Sequence, residues 1–173
     1  DPRLTTREVA GPSPLRVVLD PRRRLGDAHR VFTDGEAPTL LVHAEGVVAA
    51  APAAVETLAL PLEAAGGLDL VALLAALGAR GCERVFVEGG ARTVTAFLQA
   101  GLLSRMQVAV APLLIGAGRP SVRLPGSLAL ADCLRARHRV FRMGSDVLFD
   151  LDLAQRREGG RPDVDLPGLE RVI

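Results

Sequence analysis

The run Val85-Phe86-Val87-Glu88-Gly89-Gly90-Ala91-Arg92-Thr93-Val94 constrains this chain more than any other stretch. Three apolar, β-favouring residues read as a short buried strand. A carboxylate and two glycines follow, and then a helical pattern through Thr95, Ala96, Phe97, Leu98 and Ala100. A helix that opens this way has first-turn N–H groups without intrahelical acceptors, at the positive end of its dipole. Such an end suits a phosphate, and glycine lets a ligand come close because no Cβ intervenes. Glu88 falls at the carboxyl end of the strand, where open α/β sheets place their ligands. Taken alone, the pattern fits an ordinary strand-to-helix connection with a solvated acid equally well.

The rest of the chain alternates in the same sense. The pattern predicts a strand over 15–20 with Asp20 at its end, a second over 38–44 and a short one over 55–61. A helix over 70–79 is capped by Asp69 and closed by Gly81, with Leu70, Leu73, Leu74 and Leu77 on one face. The strand over 85–88 and the helix already described, closed by Gly101, come next. A strand over 106–112 runs into a glycine-rich turn over 113–120. Residues 128–130, 136–141 and 145–153 read as strands with little helix between them, which implies an antiparallel hairpin at a sheet edge. The expected architecture is a three-layer α/β/α domain over 1–153, with a mostly parallel central sheet and an antiparallel C-terminal hairpin. Residues 154–173, rich in Arg, Gly, Pro and Asp, read as a loosely attached tail.

Composition narrows the function. The 173 residues are 49% hydrophobic, which suits one domain with a sizeable core. Lys plus Arg number 21 against 20 Asp plus Glu, and this balance argues against a general binder of nucleic acid or acidic membrane. With 3% aromatic residues and no Trp or Tyr, the chain lacks the means for a base-stacking surface. Cys82 and Cys133 stand far apart without a His or CxxC setting, so both read as small buried or half-exposed residues, and no metal is expected. The absence of a disulfide framework points to the cytoplasm, and no apolar run reaches a membrane span. The arginines Arg22, Arg23 and Arg24 read as a loop facing water, with phosphate binding as the other option. His43 reads as packed rather than catalytic, having no acid partner nearby in sequence.

Several stretches together resemble one family. They are Asp1-Pro2-Arg3-Leu4-Thr5-Thr6-Arg7, the strand from Pro14 to Asp20, Glu88-Gly89-Gly90, and Ala111-Pro112-Leu113-Leu114-Ile115-Gly116-Ala117-Gly118. In this order they resemble the reductase domain of the bifunctional riboflavin-biosynthesis deaminase/reductase, within the dihydrofolate-reductase-like superfamily. The resemblance implies NADPH-dependent reduction of the ribosyl group of 5-amino-6-(5-phosphoribosylamino)uracil to the ribityl form. It implies substrate contacts at Leu4, Arg7 and Glu88, with Arg7 on the 5′-phosphate. Glu88 would hold sugar or pyrimidine donors, and a catalytic role as proton donor is a further step. Cofactor contacts fall on Gly89, Gly90, Ala91, Arg92, Thr93, Val94, Thr95 and Ala96, with Ala44 near the adenosine half, and a cis peptide is expected between Gly89 and Gly90. The family also implies a homodimer, and a fused or partner deaminase domain upstream. Its reductase domain starts further upstream, with a strand and helix that this sequence does not contain. The sequence has no HxE or PCxxC zinc-deaminase signature. Two other readings stay open: a stand-alone pterin or dihydrofolate-type reductase, and a non-catalytic nucleotide-binding or dimerisation module.

Overall fold

The computed structural model describes residues 1–154 except Ala49 and Ala65, together with the backbone of Glu170–Arg171. The chain forms two compact units, Asp1–Arg84 and Val85–Ile173.

The first unit is built on three parallel strands, β1 (Arg16–Leu19), β2 (Thr39–Ala44) and β3 (Val55–Leu60), in the order β1-β2-β3. Parallel sheets are stable only when both faces are covered, so their inner strands read as unbroken apolar runs. β2 is such a strand, with all six residues buried. Val31 and Phe32, on the short helix α1 (Arg30–Thr33), join Leu41 and Val55 in one core cluster. Leu4, Val18 and Ala51 pack against that cluster. Helix α1 is only four residues long, too short for a helical period to show in sequence. Helix α2 (Leu70–Ala79) matches the sequence reading and buries Leu70, Leu73 and Leu77. The Asp69 carboxylate accepts the Ala72 N–H at 2.9 Å. Gly81, at φ +79°, takes the left-handed conformation that closes this helix. There the Cys82 N–H reaches the Leu77 carbonyl at 3.0 Å.

The second unit holds helix α3 (Ala91–Gln99) and an antiparallel sheet of order β4-β6-β5-β7. Its strands are β4 (Arg105–Val110), β5 (Arg137–Met143), β6 (Asp146–Asp152) and β7 (Glu170–Arg171). Gly144, at φ +62°, is the first residue of the two-residue loop joining β5 to β6, where such hairpins need a positive φ. The α/β class and the C-terminal hairpin are those expected, with the parallel and antiparallel strands falling in separate sheets. Of the 154–173 tail, all but Ala154 and the β7 backbone lies outside the described residues.

Three expectations are corrected. Residues 82–90 form no regular structure and Phe86 is 79% exposed, so the buried strand over 85–88 is absent. No described strand offers this segment a backbone ladder, and β propensity without a partner does not make a strand. The Gly89–Gly90 peptide is trans, since the described residues contain no cis peptide. Gly90 enters α3 at φ −66° and ψ 168°, ordinary extended backbone, so the turn closes without one. Over 128–130 a 3₁₀ turn (Leu130–Asp132) begins where a strand is predicted, and Leu128 and Leu130 face solvent with nothing to pair against. Among the described residues no helix is long and apolar enough to cross a membrane.

One charged cluster organises the second sheet. Asp150, on the central strand β6, is buried and receives both Arg105 from β4 and Arg139 from β5, the latter with Nη2 at 2.9 Å. The Arg105 hydrogen bond, aided by Arg139 and opposed by burial, holds the Asp150 carboxyl below its ordinary value of 3.8. A lowered folded-state pKa contributes stability at higher pH that is lost as pH falls through that pKa. Asp150→Asn is therefore expected to cost about 1.5–3 kcal/mol at neutral pH. Its deficit relative to the unaltered protein should shrink as pH drops below 3.8, which urea titrations across a pH series will measure. In the first unit, Leu41→Ala empties a fully buried site and should cost about 2–5 kcal/mol. Val71→Ala, on the exposed side of α2, should stay within about 0.5 kcal/mol in the same urea assay.

Candidate functional site

The sequence-predicted residues fall in both units: Leu4, Arg7 and Ala44 in the first, and the 88–96 segment in the second. In the first unit Leu4 and Arg7 lie on an N-terminal arm whose Leu4 packs against the core cluster. Asp1 accepts the Arg30 N–H through Oδ1 at 3.0 Å. Leu4 is half-buried on the core and sits at φ +53°, a left-handed conformation uncommon for leucine. With Pro2, Val17, Val18, Leu25 and Val31 it lines a cleft of about 290 Å³. Thr6 is held through its N–H to Ser13 Oγ at 3.3 Å and its hydroxyl to the Pro12 carbonyl at 3.0 Å. Arg7 then projects, exposed, with no ion pair among the described residues.

Ala44 closes β2 and is buried, its N–H on the Pro21 carbonyl at 3.1 Å. His43 beside it is buried as expected, with Nδ1 3.0 Å from the Ala44 carbonyl. The arginine loop after β1 is folded from within. The buried Asp20 carboxylate accepts the Arg24 and Leu25 N–H groups at 2.9 and 2.8 Å. Arg23 binds the Ala50 carbonyl at 2.9 Å and lies over the Phe32 ring. Arg22 and Arg24 are left to solvent.

In the second unit, Glu88, Gly89 and Gly90 lead into α3 and are exposed. The Gly90 carbonyl accepts the Thr93 N–H at 3.1 Å and the Val94 N–H at 3.4 Å. The N–H groups of Ala91 and Arg92 have no acceptor among the described residues, so two donors point out of the helix end. The Thr93 N–H is therefore spoken for, while its hydroxyl has no partner among the described residues. Thr95 is buried, and its hydroxyl accepts the Arg123 N–H at 2.9 Å, tying that loop to α3. Arg92 and Ala96 are exposed and Val94 half-buried. The two glycines differ in kind. A Cβ on Gly89 would lie 3.0 Å from Thr93 Cβ, whereas one on Gly90 would meet nothing within 4 Å. Gly89 thus lets Thr93 pack over the turn, whereas the space beside Gly90 is open.

Sequence reasoning missed Arg16. It stands in an apolar strand yet is 3% exposed, and its guanidinium joins four segments of the first unit. The available signal was the charge itself, placed in a run whose neighbours are all apolar.

The first unit thus presents a parallel α/β sheet with loops at its strand ends, and the second, separately, a glycine-opened helix with free N–H donors. Comparison with known proteins makes this specific: the chain belongs to the RibD C-terminal domain family, whose model matches residues 1–149. It is 36% identical over 141 residues to the riboflavin biosynthesis protein RibD of Escherichia coli K12, covering 80% of this chain and 38% of that protein. It is 34% identical over 160 residues to the 2,5-diamino-6-ribosylamino-4(3H)-pyrimidinone 5′-phosphate reductase of Methanothermobacter thermautotrophicus Delta H, covering 87% of this chain and 72% of that one. A Thermotoga maritima diaminohydroxyphosphoribosylaminopyrimidine deaminase/5-amino-6-(5-phosphoribosylamino)uracil reductase shares the fold at a TM-score of 0.71 and 24% identity, covering 87% of this chain and 41% of that one. The chain thus spans about two fifths of the length of the RibD proteins it matches.

The contrast between the glycines is testable by denaturation. Gly89→Ala is expected to cost about 1 kcal/mol, because Thr93 must shift. Gly90→Ala should leave stability within about 0.5 kcal/mol, its backbone being open to any residue.

Proposed function

We propose that this chain is a nicotinamide-dependent reductase of riboflavin biosynthesis. It uses NADPH to reduce the ribosyl group of 5-amino-6-(5-phosphoribosylamino)uracil to the ribityl form. The observation that carries the reading is membership of the RibD C-terminal domain family across residues 1–149. One relative, of which this chain covers 72%, is named as a reductase of a ribosylamino-pyrimidinone 5′-phosphate.

The residues present fit the cofactor. Ala91 and Arg92 offer unclaimed N–H donors at a helix end, the space before Gly90 is open, and the Thr93 hydroxyl is an added donor. These would hold a cofactor phosphate, and the exposed Arg92 guanidinium suits the 2′-phosphate that distinguishes NADPH from NADH. When bound, the nicotinamide supplies the hydride. The protein's part is to bind and orient. Arg7 takes the substrate's 5′-phosphate in its planar fork and Leu4 packs against the substrate. Glu88 would hold donor groups of the sugar or pyrimidine and pass a proton. The M. thermautotrophicus name supports a second substrate, the 2,5-diamino pyrimidinone, which carries the same phosphoribosyl group.

The test is NADPH oxidation by the purified protein with each pyrimidine in turn, repeated with NADH. Consumption of either phosphoribosyl pyrimidine, with NADPH preferred, supports the reading, and no consumption of either sinks it. Glu88→Gln is expected to keep NADPH affinity, measured by calorimetry, while turnover falls about 100-fold. Full turnover by this variant would remove Glu88 from the chemistry.

A further inference from the structure

We propose that Arg16 is a positioning residue for the substrate's phosphate, acting through the N-terminal arm. The inference rests on the reading of Arg7 given above and goes beyond it to the device that aims Arg7. The Arg16 side chain is 1% exposed. Its Nε donates to Thr39 Oγ1 at 3.0 Å, and its Nη2 donates to the Ala37 carbonyl at 2.8 Å. Asp34 meets it with both oxygens, each at 2.8 Å. The remaining direction of Nη1 goes to the Arg3 carbonyl at 3.1 Å. One buried plane of donors therefore joins β1, β2, the end of α1 and the arm. Thr39 is fixed in turn, donating to the Val31 carbonyl at 2.9 Å.

The Arg3 carbonyl belongs to the peptide immediately before Leu4. Holding that peptide plane orients Leu4, whose φ of +53° lies in the left-handed region that a leucine rarely adopts. Left unfastened, the arm would relax toward extended backbone and carry Arg7 away with it. Arg16 fastens one side of Leu4 and the Thr6 bonds to Ser13 and Pro12 fasten the other. Only a guanidinium can do this, because its five donors lie in one rigid plane. A lysine has three donors on one nitrogen and cannot reach acceptors on opposite sides.

The experiment compares the full chain with Arg16→Lys and Arg16→Met. Arg16→Lys retains the charge facing Asp34. Each protein is assayed with the phosphoribosyl pyrimidine and with its 5′-hydroxyl counterpart, and the amides of the arm are followed by hydrogen–deuterium exchange. The expected result is faster exchange over residues 3–7 with β2 still protected. KM for the phosphorylated substrate should rise about tenfold, with kcat nearly unchanged. For the 5′-hydroxyl substrate KM should not move, since Arg7 has no phosphate to meet. Should both Arg16 variants fail to fold, Asp34→Asn takes away one anchor of the guanidinium and should shift KM in the same direction by a smaller factor. An unmoved KM, a loss confined to kcat, or an equal loss with both substrates overturns the proposal while leaving the functional reading intact. No turnover by the unaltered protein overturns that reading, and the proposal falls with it.

Discussion

The burial of β2 between two parallel neighbours is the constraint on which the first unit depends. Each residue of Thr39–Ala44 pairs with β3, the first four also pair with β1, and all six are shielded from water. Such a strand has no solvent face, so covering groups are required on both of its sides. Val31 and Phe32 come from a helix too short to persist alone, and they hold their place because Leu41 and Val55 lie beneath them. Leu4 extends this packing to the arm. An element with little intrinsic preference for its conformation is thus fixed by apolar contact with one that has a strong preference.

Polar groups do the complementary work of registering loops against strands. Three buried charges stand at strands and serve backbone or paired charge. Asp20 turns the loop after β1, Arg16 gathers four segments, and Asp150 joins three strands of the second sheet. A buried charge is costly unless every lone pair or donor is met, and so it accepts few alternative arrangements. The same logic bears on the candidate site from the opposite side. Arg7, Arg92 and the N–H groups of Ala91 and Arg92 carry donors that the described residues do not satisfy, and both arginines are exposed.

Much of the local structure was legible from residue spacing. Helix α2 follows from Leu70, Leu73 and Leu77 with Asp69 before them and Gly81 after, because capping and side-chain periodicity act within a few residues. The strands over 16–19, 39–44 and 55–60 follow from their apolar runs, and Gly144 marks the hairpin. The glycine-opened start of α3 was legible too, as was the family resemblance carried by the arm and the glycine turn. The strand over 85–88 was misread for a reason sequence cannot supply: Val85-Phe86-Val87 has the right composition, but a ladder needs a second strand. The role of Thr95 escaped notice similarly, since its hydroxyl partner, the Arg123 N–H, is 28 residues away.

The sequence by itself determined the elements whose causes are local: apolar period, helix caps, glycine closures, and which donors a helix end or an arginine could offer. It also determined family membership, because the residues carrying the resemblance are read directly. Only the tertiary structure decided what depends on distant groups meeting. It decided that Arg16 faces inward onto Arg3, Asp34, Ala37 and Thr39, that Leu4 is held at positive φ, and that Asp150 is clamped from both sides. The physical reason is range. Torsional preference and side-chain periodicity are set by near neighbours in the chain, whereas the pairing of buried charges and the completion of a strand are set by whatever folding brings alongside.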